Sequence, residues 1–208
     1  IEAFREEMGL NDPFIVRYVN YMLGLCQGDL GTSYKTRDPV GEEVWARLPN
    51  TAMLALTSTV VAILLALPLG IIAAIKQNTL FDGISMFISL LGISMPVFWM
   101  GLLLILFFSV KLGWFPVSGA DQGIKSLVLP SIALGFMHMA SIARTTRSSM
   151  LETIRQDYIR TVRAKGLPEK EVITRHALRN ALIPTTTVIG LQIGGLLGGS
   201  VLTASVFA

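Results

Sequence analysis

The chain has 208 residues, 52% of them apolar and 15% charged, with a net charge of +3; a typical soluble domain carries about 25% charged residues. Apart from five isolated positions, every Lys, Arg, Asp and Glu lies in residues 1–47 or 144–179. Four charge-free runs remain, each long enough to cross a bilayer, which excludes a nucleic-acid-binding domain, a disulfide-stapled secreted scaffold and an ordinary soluble enzyme.

Residues 1–47 hold five basic and eight acidic residues, a net charge of −3. Phe14, Ile15, Tyr18, Val19, Met22 and Leu25 recur at helical spacing. Asn11-Asp12-Pro13 marks the start of that helix, and Gly28-Asp29-Leu30-Gly31-Thr32-Ser33 ends it in a loop. The stripe is expected to pack on the outer ends of membrane helices. Cys26 is the one thiol, so no internal disulfide is available, and it is expected to be a small buried apolar residue. The sequence opens without a basic, cleavable leader and ends within an apolar run, so it is expected to be part of a longer protein.

The runs are Leu48–Ile75, Gly83–Val110, Ser126–Ala143 and Asn180–Ala208, giving expected spans at about 50–75, 83–110, 126–145 and 182–206. They lack the alternating segments of a membrane barrel and read as helices. A straight helix of 28 residues would be about 42 Å long against a hydrocarbon core of about 30 Å, so tilt or bends must absorb the excess. Pro68 and Pro96 are the candidate bends, read as tolerated ones, and Pro130 sits near the start of the third run. The stretch 48–143 carries +1 and the segment 144–179 carries +5. Basic loops stay cytoplasmic, which places 144–179 and the turn Lys76–Asp82 inside and residues 1–47 and the loop Lys111–Lys125 outside. Trp45, Trp114 and Phe115 then fall at the outer interface.

His138 is the one ionisable side chain within a span and is read as a neutral polar contact between helices. No metal-ligand spacing is present, so no metal site is expected. Between 144 and 183, Ser149–Lys165 reads as one helix with Leu151, Ile154, Tyr158 and Val162 on one face and Arg155, Arg160 and Arg163 largely elsewhere. Gly166-Leu167-Pro168 breaks it, and Glu169 and Glu171 suit the start of a second helix. There Val172, Ile173, His176 and Ala177 oppose Lys170, Arg175 and Arg179, and Pro184 opens the fourth run. The product is a basic hairpin at the cytoplasmic surface, with more internal order than a lipid anchor requires and the character of a docking device for a soluble partner. In the fourth run, Gly190, Gly194 and Gly198 follow the GxxxG spacing and are expected to let another helix, of this chain or a partner, approach closely.

The stretch Asp157-Tyr158-Ile159-Arg160-Thr161-Val162-Arg163-Ala164-Lys165-Gly166-Leu167 with Arg175-His176-Ala177-Leu178-Arg179-Asn180-Ala181-Leu182-Ile183-Pro184 resembles the cytoplasmic EAA loop of ABC-type importer permeases. The version is that of the dipeptide, oligopeptide, glutathione and nickel branch. Gly28–Ser33, Gly113-Trp114-Phe115-Pro116-Val117-Ser118-Gly119 and Thr145-Thr146-Arg147-Ser148-Ser149-Met150 extend the likeness over essentially the whole chain. The general pattern has Glu-Ala-Ala where this chain has Arg160, Thr161 and Val162, and a later proline where it has Arg179.

The resemblance implies an all-α polytopic membrane protein with the type I ABC importer transmembrane fold. Four of the usual six spans would lie in this chain, with one helix before residue 1 and one after residue 208. Residues 1–47 would be an extracytoplasmic helical segment. Residues 48–208 would be the permease domain, with a coupling loop at about 146–181 whose hairpin covers about 150–182. It implies a multi-pass subunit of the bacterial inner membrane that forms the pathway for a small peptide or similar solute: a dipeptide, oligopeptide, glutathione or nickel chelate. The implied partners are a homologous second permease subunit, two cytoplasmic ABC ATPases and an extracytoplasmic solute-binding protein. ATP and Mg would be bound by the ATPases. This chain would hold no cofactor and no catalytic residue, and it has no G-x-x-x-x-G-K-[ST] phosphate loop. Gly166 and Leu167 would form the coupling tip, with Asp157, Arg160 and Ala164 lining the helix before it. A secondary transporter or channel, the competing reading, would need paired ionisable groups within the spans, where there is only His138.

Overall fold

The computed structural model describes residues 12–33, 36–119 and 123–199, with residues 198 and 199 described by backbone alone. The described residues are helical, with one isolated antiparallel bridge between Thr32 and Pro39. They fall into two compact units, Ile1–Asn50 and Thr51–Ala208.

In the first unit, α1 (Phe14–Cys26) starts directly after Pro13, a residue suited to helix entry. The expected stripe is helical, yet no residue of α1 is buried, and Phe14 is 78% exposed. Cys26 is exposed as well, against expectation, because the helix that carries it has no covered face. Asp29 accepts the Gly31 N–H at 2.8 Å, and the Gly31 carbonyl accepts the Val40 N–H at 2.9 Å. The Gly-Asp-Leu-Gly loop thus launches α2 (Val40–Ile75).

In the second unit, α2 continues and is followed by α3 (Leu80–Ser94), α4 (Val97–Leu104) with a π-helical extension Ile105–Lys111, and α5 (Ile124–Ile154). Then come α6 (Asp157–Ala164), the single turn α7 (Glu169–Glu171), a π-helical stretch Val172–Ala177 and α8 (Leu178–Gly199). Helix α5 is the centre, packed against α2, α3, α4 and α8. Its neighbours meet it through small residues: Ala55, Ser58, Ala62, Ala66, Gly70 and Ala73 are all buried on α2. A methyl group added at Gly70 would lie 2.6 Å from the Ala143 carbonyl, and one at Gly135 would lie 2.8 Å from Val61. At Gly92 of α3 it would run into the carbonyl of Phe136. Close approach of backbones through small side chains is how helices pack where lipid removes the hydrophobic drive between them.

The large apolar side chains point the other way: Leu64 is 68% and Phe87 61% exposed. Small residues inside and bulky apolar ones outside is an arrangement lipid tolerates and water does not. Three helical stretches, Val40–Ile75, Ile124–Ile154 and Glu169–Leu197, are long and apolar enough to cross a membrane. The expected end of the last span near 206, and the surroundings of Gly198, lie outside the described residues.

Three expectations change in this unit. The run 83–110 is not one straight helix: Leu80–Ser94 and Val97–Lys111 meet at 103°. Met95, before Pro96, is extended at ψ 125, as the proline ring requires of its predecessor. Pro68, Pro130 and Pro184 remain within continuous helices, so Pro184 does not open the fourth run; α8 begins at Leu178. Likewise Ser149–Lys165 is two helices. Helix α5 ends at Ile154, Gln156 is extended at ψ 151, and α6 starts at Asp157, where a carboxylate suits the dipole.

Candidate functional site

The hairpin is built on its own apolar cluster. Met150 from α5, Ile159 from α6, Val172, Ile173 and Ala177 from the π-helical stretch and Ala181 from α8 are buried together. Leu151, Ile154, Tyr158 and Val162, the face expected from the sequence, pack around it. The break at 155–156 lets the chain turn so that Ile159, fully buried, joins the cluster that Met150 anchors. Truncating Ile159 to Ala is expected to cost about 3 kcal/mol, read as faster proteolysis of the hairpin in membrane vesicles with the rest of the subunit intact.

Polar contacts fix the two arms. Arg163 donates to both carboxylate oxygens of Glu169, at 3.0 and 2.7 Å, stapling the turn across its mouth. The carboxylate beside it raises the Arg163 pKa above the ordinary guanidinium value, so the arginine stays charged at any physiological pH. The Tyr158 hydroxyl accepts from Asn180 at 2.7 Å and donates to the His176 carbonyl at 3.4 Å. Gly166 closes α6 with φ +78, the left-handed conformation in which glycine is the default helix terminator. Its N–H bonds the Arg163 carbonyl at 2.9 Å, and a side chain there would meet no atom within 4 Å.

Of the residues expected at the docking surface, Asp157, Arg160 and Ala164 lie on one exposed face of α6, and Gly166 is exposed at the turn. Leu167 is different: half-buried, it packs on the hairpin cluster and supports the tip from below. The Arg160–Asp157 pair, at 3.6 Å and largely exposed, holds little. Among the described residues, Gly190 and Gly194 have no close contact, and open space surrounds both. The close approach occurs at Gly70, Gly92 and Gly135 instead, where small residues of α2 and α3 meet α5. Only 17% of the apolar window in Glu169–Leu197 is buried, against 56% in α5.

A second polar centre is one that sequence reasoning missed. Arg147 of α5 grips Asp82 at the start of α3 with two parallel bonds of 2.7 Å, Nε to Oδ1 and Nη2 to Oδ2. Asp82 is 6% exposed and also accepts the Asn78 N–H at 3.1 Å. Gln77, in the same turn, accepts a weaker, exposed bond from Arg155 at 3.2 Å. Removing one partner of a buried pair costs about 3–5 kcal/mol because the other is left uncompensated. The pair joins residues 65 apart, so no local pattern announces it. The available signal was that the two opposite charges border different runs on the same expected side. His138 stands beside Gln192 of α8, but His138 Nε2 and Gln192 Oε1 complete no hydrogen bond.

The comparisons with known proteins agree with one another. Residues 66–208 match the model of the binding-protein-dependent transport system inner membrane component family. The chain is 46% identical over 235 residues to a dipeptide transport system permease protein, DppB, of Alkalihalophilus pseudofirmus, covering all of this chain and 71% of that one. It is 43% identical over 216 residues to an oligopeptide transport system permease protein, AppB, of Bacillus subtilis, covering 99% and 68%. A glutathione transport system permease protein, GsiC, of Escherichia coli is 45% identical over 207 residues, covering 100% and 67%.

Proposed function

We propose, from the premise that this chain belongs to the family of binding-protein-dependent transport system inner membrane components, that its hairpin couples solute movement to ATP hydrolysis on separate subunits. The chain is a multi-pass membrane permease and a transport subunit rather than an enzyme. The observation that carries the proposal is the hairpin itself: a basic helix–turn–helix with its own core, a charged staple across its mouth and an exposed face. A topology signal would need the charge alone. A lever needs the rigidity, because a flexible loop would absorb a push instead of passing it on.

In this reading the segment 144–179 faces the cytoplasm, since its net charge of +5 keeps it there. Asp157, Arg160, Ala164 and Gly166 meet a groove on an ABC ATPase, with Leu167 holding the tip in shape. A second, homologous permease subunit completes the pathway, packing on the open Gly190–Gly194 face of α8, and a solute-binding protein delivers cargo from outside. ATP and Mg reside on the ATPases. The cargo is a small peptide or a peptide-like solute, the class that the relatives' names give for them.

Reconstitution of the complex in vesicles tests this. A labelled dipeptide should accumulate only with ATP on the hairpin side, and unlabelled tripeptides or glutathione should rank by competition. Uptake driven by an ion gradient without ATP would instead favour a secondary transporter.

A further inference from the structure

We propose that Asp82 and Arg147 are a positioning pair that passes the hairpin's displacement to α3 and thence to the bend at Met95–Pro96. This rests on the reading of the hairpin as the ATPase-coupled lever.

The argument follows the contacts outward from the hairpin. The hairpin is fused to α5 through the cluster that Met150 shares with Ile159, Val172 and Ile173. Helix α2 reaches that cluster through Ala74 and Ile71, but among the described residues no member comes from α3. At this end of the molecule α3 is held by the doubly bonded Asp82–Arg147 pair. Higher up, Gly92 lies against the carbonyl of Phe136. The two anchor points are matched in spacing. Asp82 to Gly92 is about 15 Å along α3, and Arg147 to Phe136 is about 16 Å along α5, running antiparallel.

Two rigid helices pinned at two matched points move as one body; without the pair, the cytoplasmic half of α3 rests on α5 through the buried Ser85 and Ser89 and the packed Ile88, contacts that fix no direction along the helix. Just beyond the crossing the Met95 N–H makes the last helical bond, to the Leu91 carbonyl at 3.1 Å, Pro96 has no N–H to continue the ladder, and the chain turns by 103°. With the pair intact, a displacement of the hairpin carries α5 and α3 together, and the angle between Leu80–Ser94 and Val97–Lys111 changes. Without it, α3 slips and the bend stays still. The pair's burial suits this role. A bidentate guanidinium–carboxylate contact has one defined geometry, whereas the exposed Arg155–Gln77 bond does not constrain direction.

The test uses the whole transporter reconstituted with its ATPases and binding protein. Asp82→Ala combined with Arg147→Ala removes the tie without leaving a buried charge uncompensated. Spin labels at the exposed positions 87 and 106 report the bend. The double variant should reach the membrane at the wild-type level and hydrolyse ATP. It should carry roughly tenfold less solute per ATP, within the usual range of coupling between sites, and lose the ATP-dependent change in the 87–106 distance. Arg147→Lys, which keeps the charge but not the double bond, should be intermediate, and it decides the matter if the double variant is absent from the membrane. Wild-type solute per ATP in whichever variant decides, or a wild-type 87–106 distance that ATP leaves unchanged, overturns the proposal. Failure of the wild-type complex to couple uptake to ATP at all would instead defeat the underlying reading of the hairpin.

Discussion

Gly166→Asp is expected to abolish ATP-coupled uptake while leaving the subunit in the membrane at its normal level. The glycine sits at φ +78, where an L-residue pays about 1 kcal/mol, and Asp is among the residues that accept this conformation best. No atom lies within 4 Å of where the new side chain begins, so the fold has room for it. On the proposed coupling, the damage falls on the ATPase contact, which would have to bury a carboxylate where the native tip presents only backbone. A buried ionised group without a partner costs several kcal/mol, enough to break an interface of this kind. Gly166→Asn, of the same shape without the charge, should retain part of the activity. Uptake in vesicles, normalised to the amount of subunit, separates these outcomes; normal transport by Gly166→Asp would remove Gly166 from the coupling tip.

The second large effect belongs to the packing of α3 on α5. Gly92→Leu places a side chain against the Phe136 carbonyl, a backbone group that cannot rotate aside, with the Phe136 ring next to it. Overpacking of that kind costs about 3 kcal/mol or more, and the subunit should lose its cooperative melting transition in detergent or disappear from the membrane. Gly190→Leu is the contrast. The same enlargement on α8 enters open space in this chain, so the isolated subunit should melt unchanged. If the second permease subunit packs there, Gly190→Leu should sharply reduce its co-purification. Equal melting losses in both variants would contradict the open surroundings of Gly190.

These contrasts also show what could be read along the chain and what could not. The helix termination at Gly166-Leu167-Pro168 was legible because its chemistry is local: a positive φ for glycine, then a proline at helix entry. So was the apolar face Leu151, Ile154, Tyr158 and Val162, which needs only a period. The break at Gln156 was not, since no glycine or proline marks it and the burial of Ile159 beside Met150 decides it.

The prolines make the same point. Pro68 stays within a continuous helix, held against α5 by Ala66 and Gly70, although the elements flanking Pro96 also pack on α5. At Pro96 the chain opens. Close helix packing was expected at the glycines of α8, where the motif is conspicuous. That expectation includes a partner's helix as well as one of this chain; among the described residues close packing lies at Gly92 of α3 and on α2, where Ala, Ser and Gly share the work at irregular intervals of three and four. For the Asp82–Arg147 pair the sequence offers only two opposite charges at run borders on one expected side; their pairing is a property of how α3 and α5 are brought together.

The claim on which the rest depends is that a separate ATPase grips the exposed face of the hairpin. A single cysteine at position 164, introduced as Ala164→Cys in a Cys26→Ser background, addresses it directly, since Cys26 is the one native thiol and is exposed. In intact cells the new thiol should resist a membrane-impermeant maleimide, and in the assembled complex a short bifunctional reagent should link it to the ATPase subunit. Labelling of position 164 from outside the cell, or an assembled and transporting complex in which it links to no ATPase, would contradict the account.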